Sequence, residues 1–281
     1  MAIAFVSDRT GDADIYVVNT DGSGLRNITA DPAEDSSPSW SPDGRRLAFK
    51  SSREDRGDIW TVDVRTGAVA RVTQGDGHKS QPAWSPDGQR IAFVLHHPRS
   101  MAVLATIASD GSDQRELTVR TSDHPSMWPR PQSFVEPEWP TWSPDGQRIA
   151  FHATSDTNTD IYVLDIGSGA VTRLTDHPNA DWQPAWSPRG DAIAFTSRRD
   201  GTDEIYTMSL DGGSVRNLTR LACCSYEAAW SPDGNTIAFK SARHDDTDIY
   251  AVDVGGANRR KITNSAHRDW RPAWRPATAG R

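Results

Sequence analysis

The side chains of this chain best suited to chemistry near neutral pH are histidines and arginines placed in irregular stretches. His96 and His97 are adjacent, Arg99 follows two residues on, and His124 and Arg130 stand in a proline-rich segment at 121–138. Imidazole titrates near neutrality and ligates transition metals through either ring nitrogen. Two chemistries are open. In one, His97 or His124 is a general base and Arg99 or Arg130 stabilises the negative charge that develops. In the other, His96, His97, His124 and His152 hold a divalent transition metal such as Mn, Zn, Ni or Fe. No spacing supports either: the chain has no His-x-x-x-His, Cys-x-x-Cys, phosphate loop or Gly-x-Ser-x-Gly elbow. The expectation is a protein without cofactor or catalysis, with a metal-assisted lyase or hydrolase as the alternative.

What must position these residues is a repeat. Trp-Ser-Pro-Asp-Gly occurs four times and near-copies twice more, at Trp40, Trp84, Trp142, Trp186, Trp230 and Trp274. Successive spacings are 44, 58, 44, 44 and 44 residues. A fixed period of roughly 40–45 residues marks propeller blades. In the unit at 183–219, short β-type runs fall at 184–186, 192–196, 204–208 and 215–218. Pro-Asp-Gly closes a tight turn after the first strand, and a second Gly-rich turn (Asp21-Gly22, Asp110-Gly111, Asp211-Gly212) precedes the fourth.

The ends fit the same scheme. Ile3-Ala4-Phe5 aligns with Leu47-Ala48-Phe49, a second strand, and Arg271-Pro272-Ala273-Trp274 is a first strand with nothing after it. The fold expected is all-β: one six-bladed β-propeller of four-stranded blades, closed by the C-terminal strand joining the N-terminal blade. The blades are 270–281 with 1–29, then 36–73, 80–118, 138–175, 182–219 and 226–263.

The succession Trp-Ser-Pro-Asp-Gly, Ile-Ala-Phe, Ser-x-Arg, Asp-Ile-Tyr, Leu-Thr resembles the WD40-like (PD40) repeat of the TolB propeller family over essentially the whole chain. The resemblance implies a six-bladed propeller, usually periplasmic or extracytoplasmic, often a protein-binding platform. TolB itself carries an α/β domain before its propeller, which this sequence lacks. Similar blades occur in propellers fused to serine peptidases and in oligogalacturonate lyase-like enzymes, whose His and Gln side chains surround a metal. That likeness is what adds to the metal alternative.

In such a blade the loops after the second and fourth strands share one face, and here they are the long, irregular ones. A rigid ring presenting variable loops is the common plan of a binding face. The Trp84 blade departs most: its insertion carries Trp128, and it lacks Asp-Ile-Tyr. Six tryptophans are repeat positions that pack between blades, and Trp60 replaces the Asp-Ile-Tyr tyrosine. Trp128, Trp139, Trp182 and Trp270 remain, with Tyr226 equivalent to Trp182 and Trp270. Beside them, at equivalent positions, stand Gln81, Gln183, Glu227 and Arg271, with Ser37 and Trp139 in the other blades. Flat rings interleaved with these polar groups suit a peptide side chain or a sugar. The alternative is that the rings plug the channel.

The acid before Ile-Tyr (Asp14, Asp58, Asp160, Glu204, Asp248) recurs too regularly for a calcium site and is read as tying its loop to a neighbouring Ser or Arg. Cys223 and Cys224 are adjacent, so they are either thiols or a vicinal disulfide beside Tyr226. A net charge of −7 argues against nucleic acid and anionic membranes as partners, and no apolar run can span a bilayer. No leader precedes the first strand, so an exported protein would have lost its signal peptide. The expected partner is a protein segment or saccharide, bound by a monomer.

Overall fold

In a computed structural model the chain is all β, with no helix among the described residues. The structure describes residues 1–54, 57–117, 136–154, 158–211, 213–221, 224–243 and 246–277. Trp128, His124, Arg130, Cys223 and His244 lie outside the described residues. Six four-stranded antiparallel sheets radiate from a ring of six inner strands. Blade 1 orders its strands Asp269–Trp274, Ala2–Ser7, Asp14–Asn19, Arg26–Asn27 from centre to rim. Blades 2 to 6 follow the chain, with inner strands Asp35–Trp40, His78–Trp84, Pro137–Trp142, Asp181–Trp186 and Ser225–Trp230.

Closure is by main-chain pairing of the two ends. Ile3 pairs with Trp274, Ala4 with Ala273 and Ser7 with Asp269. The Arg275 N–H donates to Ala2 O at 2.9 Å, as Ser41 N–H donates to Arg46 O in blade 2. The shared blade thus repeats the bonds of an intact hairpin across a chain break.

Inner strands begin earlier than the residue types suggest, at Asp181 rather than at 184. Proline misleads here: an inner strand has one edge free toward the channel, so a missing N–H there costs no ladder bond. Trp139, Trp182, Tyr226 and Trp270 therefore lie within inner strands. At the rim, fourth strands shrink to two or three residues, leaving little open edge for other chains to pair with.

The core is divided among the blade interfaces. Second strands read Ile-Ala-Phe or Leu-Ala-Phe because both of their faces are covered. Phe5, Phe49, Phe93, Phe151, Phe195 and Phe239 are fully buried, as are the alanines before them. Each alanine belongs to the cluster holding the next blade's repeat tryptophan, such as Ala48 with Trp84 and Ala150 with Trp186. A methyl there leaves room for an indole. Trp40, Trp142 and Trp230 also donate Nε1–H to the carbonyls of Ala273, Ala83 and Ala185 in the preceding blade, at 3.0–3.1 Å.

Polar repeats hold the loops. Ser41 Oγ donates to Asp43 at 2.6 Å and accepts Arg46 N–H at 2.9 Å, while Gly44 takes φ 65°; this is the work of Ser-Pro-Asp-Gly. The acid before Ile-Tyr does tie its loop, with Arg71 on Asp58 and Arg173 on Asp160 at 2.7 Å, but its recurring partner is a threonine rather than a serine. Thr73 Oγ1 donates to Asp58 at 2.8 Å and accepts Ile59 N–H at 2.9 Å, while Arg71 reaches the other carboxylate oxygen at 2.7 Å. Thr29, Thr175, Thr219 and Thr263 act in the same way. The Ser-x-Arg arginines instead pair with buried acids that open inner strands: Arg9 with Asp269, Arg53 with Asp35 and Arg199 with Asp181. Arg9 and Arg199 also lie over their blades' tyrosines, Tyr16 and Tyr206.

Blade 3 breaks these rules. Its pairing register puts Val103 where blade 2 has Asp58 and Ala105 where blade 2 has Trp60. The same register shows that one extra residue falls between its second and third strands, and the remaining insertion follows the fourth.

Candidate functional site

One backbone conformation recurs six times around the channel. Ser37, Gln81, Trp139, Gln183, Glu227 and Arg271 have φ between 55° and 60°. Left-handed backbone costs a non-glycine residue roughly 1–2 kcal/mol. Each marks a bulge in its inner strand, where the register with the second strand slips, as between Trp182 and Ala185. A bulge re-aims a side chain, and here the re-aimed positions meet. Ser37, Gln81, Trp139, Glu227 and Arg271 line a cavity of about 90 Å³ at the ring centre.

The bulge also leaves main-chain N–H groups to satisfy, and neighbouring blades do so. Gln81 Oε1 accepts Trp139 N–H at 2.6 Å, Gln183 Oε1 accepts Glu227 N–H at 3.1 Å, and Glu227 Oε2 accepts Arg271 N–H at 2.6 Å. The bulge preceding Gln183 is Trp139, whose indole has no lone pair to offer. His152 takes over, its Nδ1 accepting Gln183 N–H at 3.3 Å. Its Nε2 then faces Glu138 at 3.6 Å. The His152 hydrogen bond holds the Glu138 carboxyl below its ordinary pKa against the opposing effect of burial.

The sequence that builds this ring matches a known family. The model of the TolB β-propeller domain, PD40, matches residues 1–135 and 137–228. The chain belongs to that family. As a fold, the PD40 propeller is similar to TolB from Acinetobacter baumannii, at 22% identity and TM-score 0.84, covering 98% of this chain and 67% of that one. A putative TolB from Agrobacterium tumefaciens is similar at 24% identity and TM-score 0.78, covering 98% and 95%. An oligogalacturonate lyase in complex with manganese shares 13% identity at TM-score 0.60, covering 94% and 73%. Over 46 residues the chain is 46% identical to an uncharacterized peptidase, YuxL, of Bacillus subtilis; the match spans 16% of this chain and 7% of that protein's length.

Within the PD40 propeller, Arg271, Trp139 and Ser37 are the ring members whose side chains accept no neighbour's N–H among the described residues; Arg271 and Trp139 have no acceptor to offer. Arg271 and Trp139 meet each other instead, the guanidinium carbon lying 4.5 Å from the indole centroid. Burial lowers the Arg271 pKa, opposed by Glu227 and Glu138. Lys50, on the second strand of blade 2, is depressed by burial first and by the Arg271 charge second.

The outward aromatics form separate groups. Trp270 lines a groove of about 260 Å³ with Asp8, Glu34, Ser36, Lys50, and Arg268. Trp182 lies under Arg198 at 5.4 Å, and Tyr226 donates its hydroxyl to Asp203 at 2.7 Å. Arg198 joins the two by pairing with Asp203 at 2.6 Å. Burial and then Asp203 raise the Tyr226 pKa.

The histidine candidates do not share a centre. His96 Nε2 lies 3.1 Å from Ser80 Oγ, His97 Nε2 lies 3.1 Å from Glu116, and Arg99 is exposed. Among the described residues, no three His, Cys, Asp or Glu side chains gather as a metal-ligand set. The residues that sequence reasoning passed over are Lys50 and Glu138. Lys50 and His152 occupy equivalent second-strand positions, so aligning the second strands would have exposed them.

Proposed function

We propose that this propeller is a non-catalytic binding platform. A protein segment lies on the face of irregular loops and sends a side chain or chain end into the channel mouth. The observation that carries this reading is the ring of bulged residues, five of which line one cavity. A left-handed conformation at six equivalent non-glycine positions costs stability, and strain of this kind clusters at functional sites. Trp182, Tyr226 and Trp270 give the surrounding face flat, half-buried contact area. By family likeness we place the protein outside the cytoplasm, acting as a monomer.

The test is selection of peptides from a random dodecapeptide display library on immobilised protein. Selected peptides should lose about tenfold or more in affinity when Trp182 and Trp270 are both replaced by Ala, with the melting temperature nearly unchanged. Asp43→Ala, in a turn of the opposite face, should leave binding intact. Failure to enrich any peptide, or binding that responds only to Asp43→Ala, would overturn the platform. A large loss of melting temperature in the tryptophan variant would make those rings core.

A further inference from the structure

Among the described residues, two cations and a hydroxyl at the channel mouth have no hydrogen-bond partner for their side chains. Neither the Arg271 guanidinium nor the Lys50 ammonium makes a hydrogen bond or an ion pair within 4 Å among the described residues. Ser37 Oγ, on a residue 9% exposed, is buried with no hydrogen-bond partner. Ser37 and Arg271 line the same cavity, and Lys50 lines the groove beside it with Ser36. A buried hydroxyl left unpaired costs about 1–3 kcal/mol, and two enclosed like charges repel. All three deficits are met by one kind of group, an anion with two acceptor oxygens.

The ring carboxylates Glu227 and Glu138 favour the Arg271 charge through space but make no ion pair with its guanidinium among the described residues. Glu227 Oε2 is bonded to the Arg271 main-chain N–H, and Glu138 faces His152. The cavity of about 90 Å³ has room for a carboxylate and its methylene. The Arg271 guanidinium carbon lies 4.5 Å from the Trp139 ring centroid, and a guanidinium fork can pair bidentately with a carboxylate.

We propose that the mouth is a carboxylate site, in which Arg271, Lys50 and Ser37 Oγ hold the carboxylate of an acidic side chain or chain end of a peptide. The site deepens the platform reading and rests on it. Specificity arises because a carboxylate offers the guanidinium and the ammonium charge-assisted hydrogen bonds, which a neutral amide does not.

The test uses four probes titrated into protein labelled with ¹⁵N-tryptophan, following the Trp139 indole signal assigned through Trp139→Phe. The probes are acetyl-Gly-Gly-Glu-Gly-Gly-amide, its glutamine twin, acetyl-Gly-Gly-Gly with a free carboxylate, and digalacturonate. The expected result is saturable binding of at least one acidic peptide, weaker by about tenfold or more for the glutamine twin. The glutamate peptide binding better than the free acid identifies a side chain as the source, and the reverse identifies a chain end. Arg271→Met should abolish binding and Lys50→Met should weaken it about tenfold, while Arg115→Ala at the rim changes nothing. Lys50→Met keeps the test decisive if Arg271→Met fails to fold. Equal binding of the glutamine twin overturns the carboxylate site and leaves the platform standing. Binding of digalacturonate alone overturns both, and no binding by any probe overturns the carboxylate site while the display selection still judges the platform.

Discussion

Side chains around the channel divide by what they can accept. Gln81, Gln183 and Glu227 each take the freed N–H of the next bulge, so their presence is explained by main-chain satisfaction. Arg271 and Trp139 cannot accept, and they are where a ligand enters the argument. A second residue-scale consequence concerns protons. Burial, Lys50 and His96 hold His78 down to about 4. An unfolded chain binds a proton there below about 6.5, the folded one only near 4. Stability is therefore lost as pH falls from 6.5 to 4. Burial pushes Asp35 up to about 6, which acts oppositely: stability is gained as pH falls from 6 toward 4. The two offset, so the difference between proteins is the informative quantity. His78→Gln should gain melting temperature relative to wild type between pH 7 and pH 5; a pH-independent difference would sink this assignment. The glutamine and arginine positions were visible in the repeats, but their backbone was not. Positive φ is read from glycine, and none of the six ring residues is one.

At the scale of the blade, the Thr–Asp pair fastens the fourth strand to the third. Thr73→Val removes the acceptor of Ile59 N–H and the donor to Asp58, both buried. We expect a loss of about 1–3 kcal/mol in denaturant unfolding, and a change below a few tenths would show that the pair does no such fastening. Packing gives a second prediction. Ala150 is fully buried in the cluster that holds Trp186, so Ala150→Leu should destabilise by roughly 1–3 kcal/mol through overpacking. An unchanged melt would mean that the interface has spare volume. Blade number, turn chemistry and second strands were legible because Trp-Ser-Pro-Asp-Gly and Ile-Ala-Phe each have one local cause. The inner-strand starts and the threonine partner of the repeated acid were not. Proline usually ends a strand, and Thr73 lies 15 residues from Asp58, so nothing local joins them.

For the whole molecule, closure is the stabilising event. Deleting residues 271–281 removes the pairing of Ala273 and Trp274 with the N-terminal strand, together with the Arg271 bulge. The truncated chain should melt far below the full one, by calorimetry, and unfold less cooperatively. A wild-type melt would mean that the ring holds without its shared blade. Six separate interface clusters in place of one central core explain why the damage spreads: the blade that loses its inner strand faces two neighbours. The ends of the chain meet where the other blades have their Pro-Asp-Gly turn, so both emerge on the face opposite the irregular loops. Anything attached to either terminus, whether a surface, a fluorophore or another polypeptide, therefore presents the channel mouth outward. An assay can be immobilised from either end without masking it.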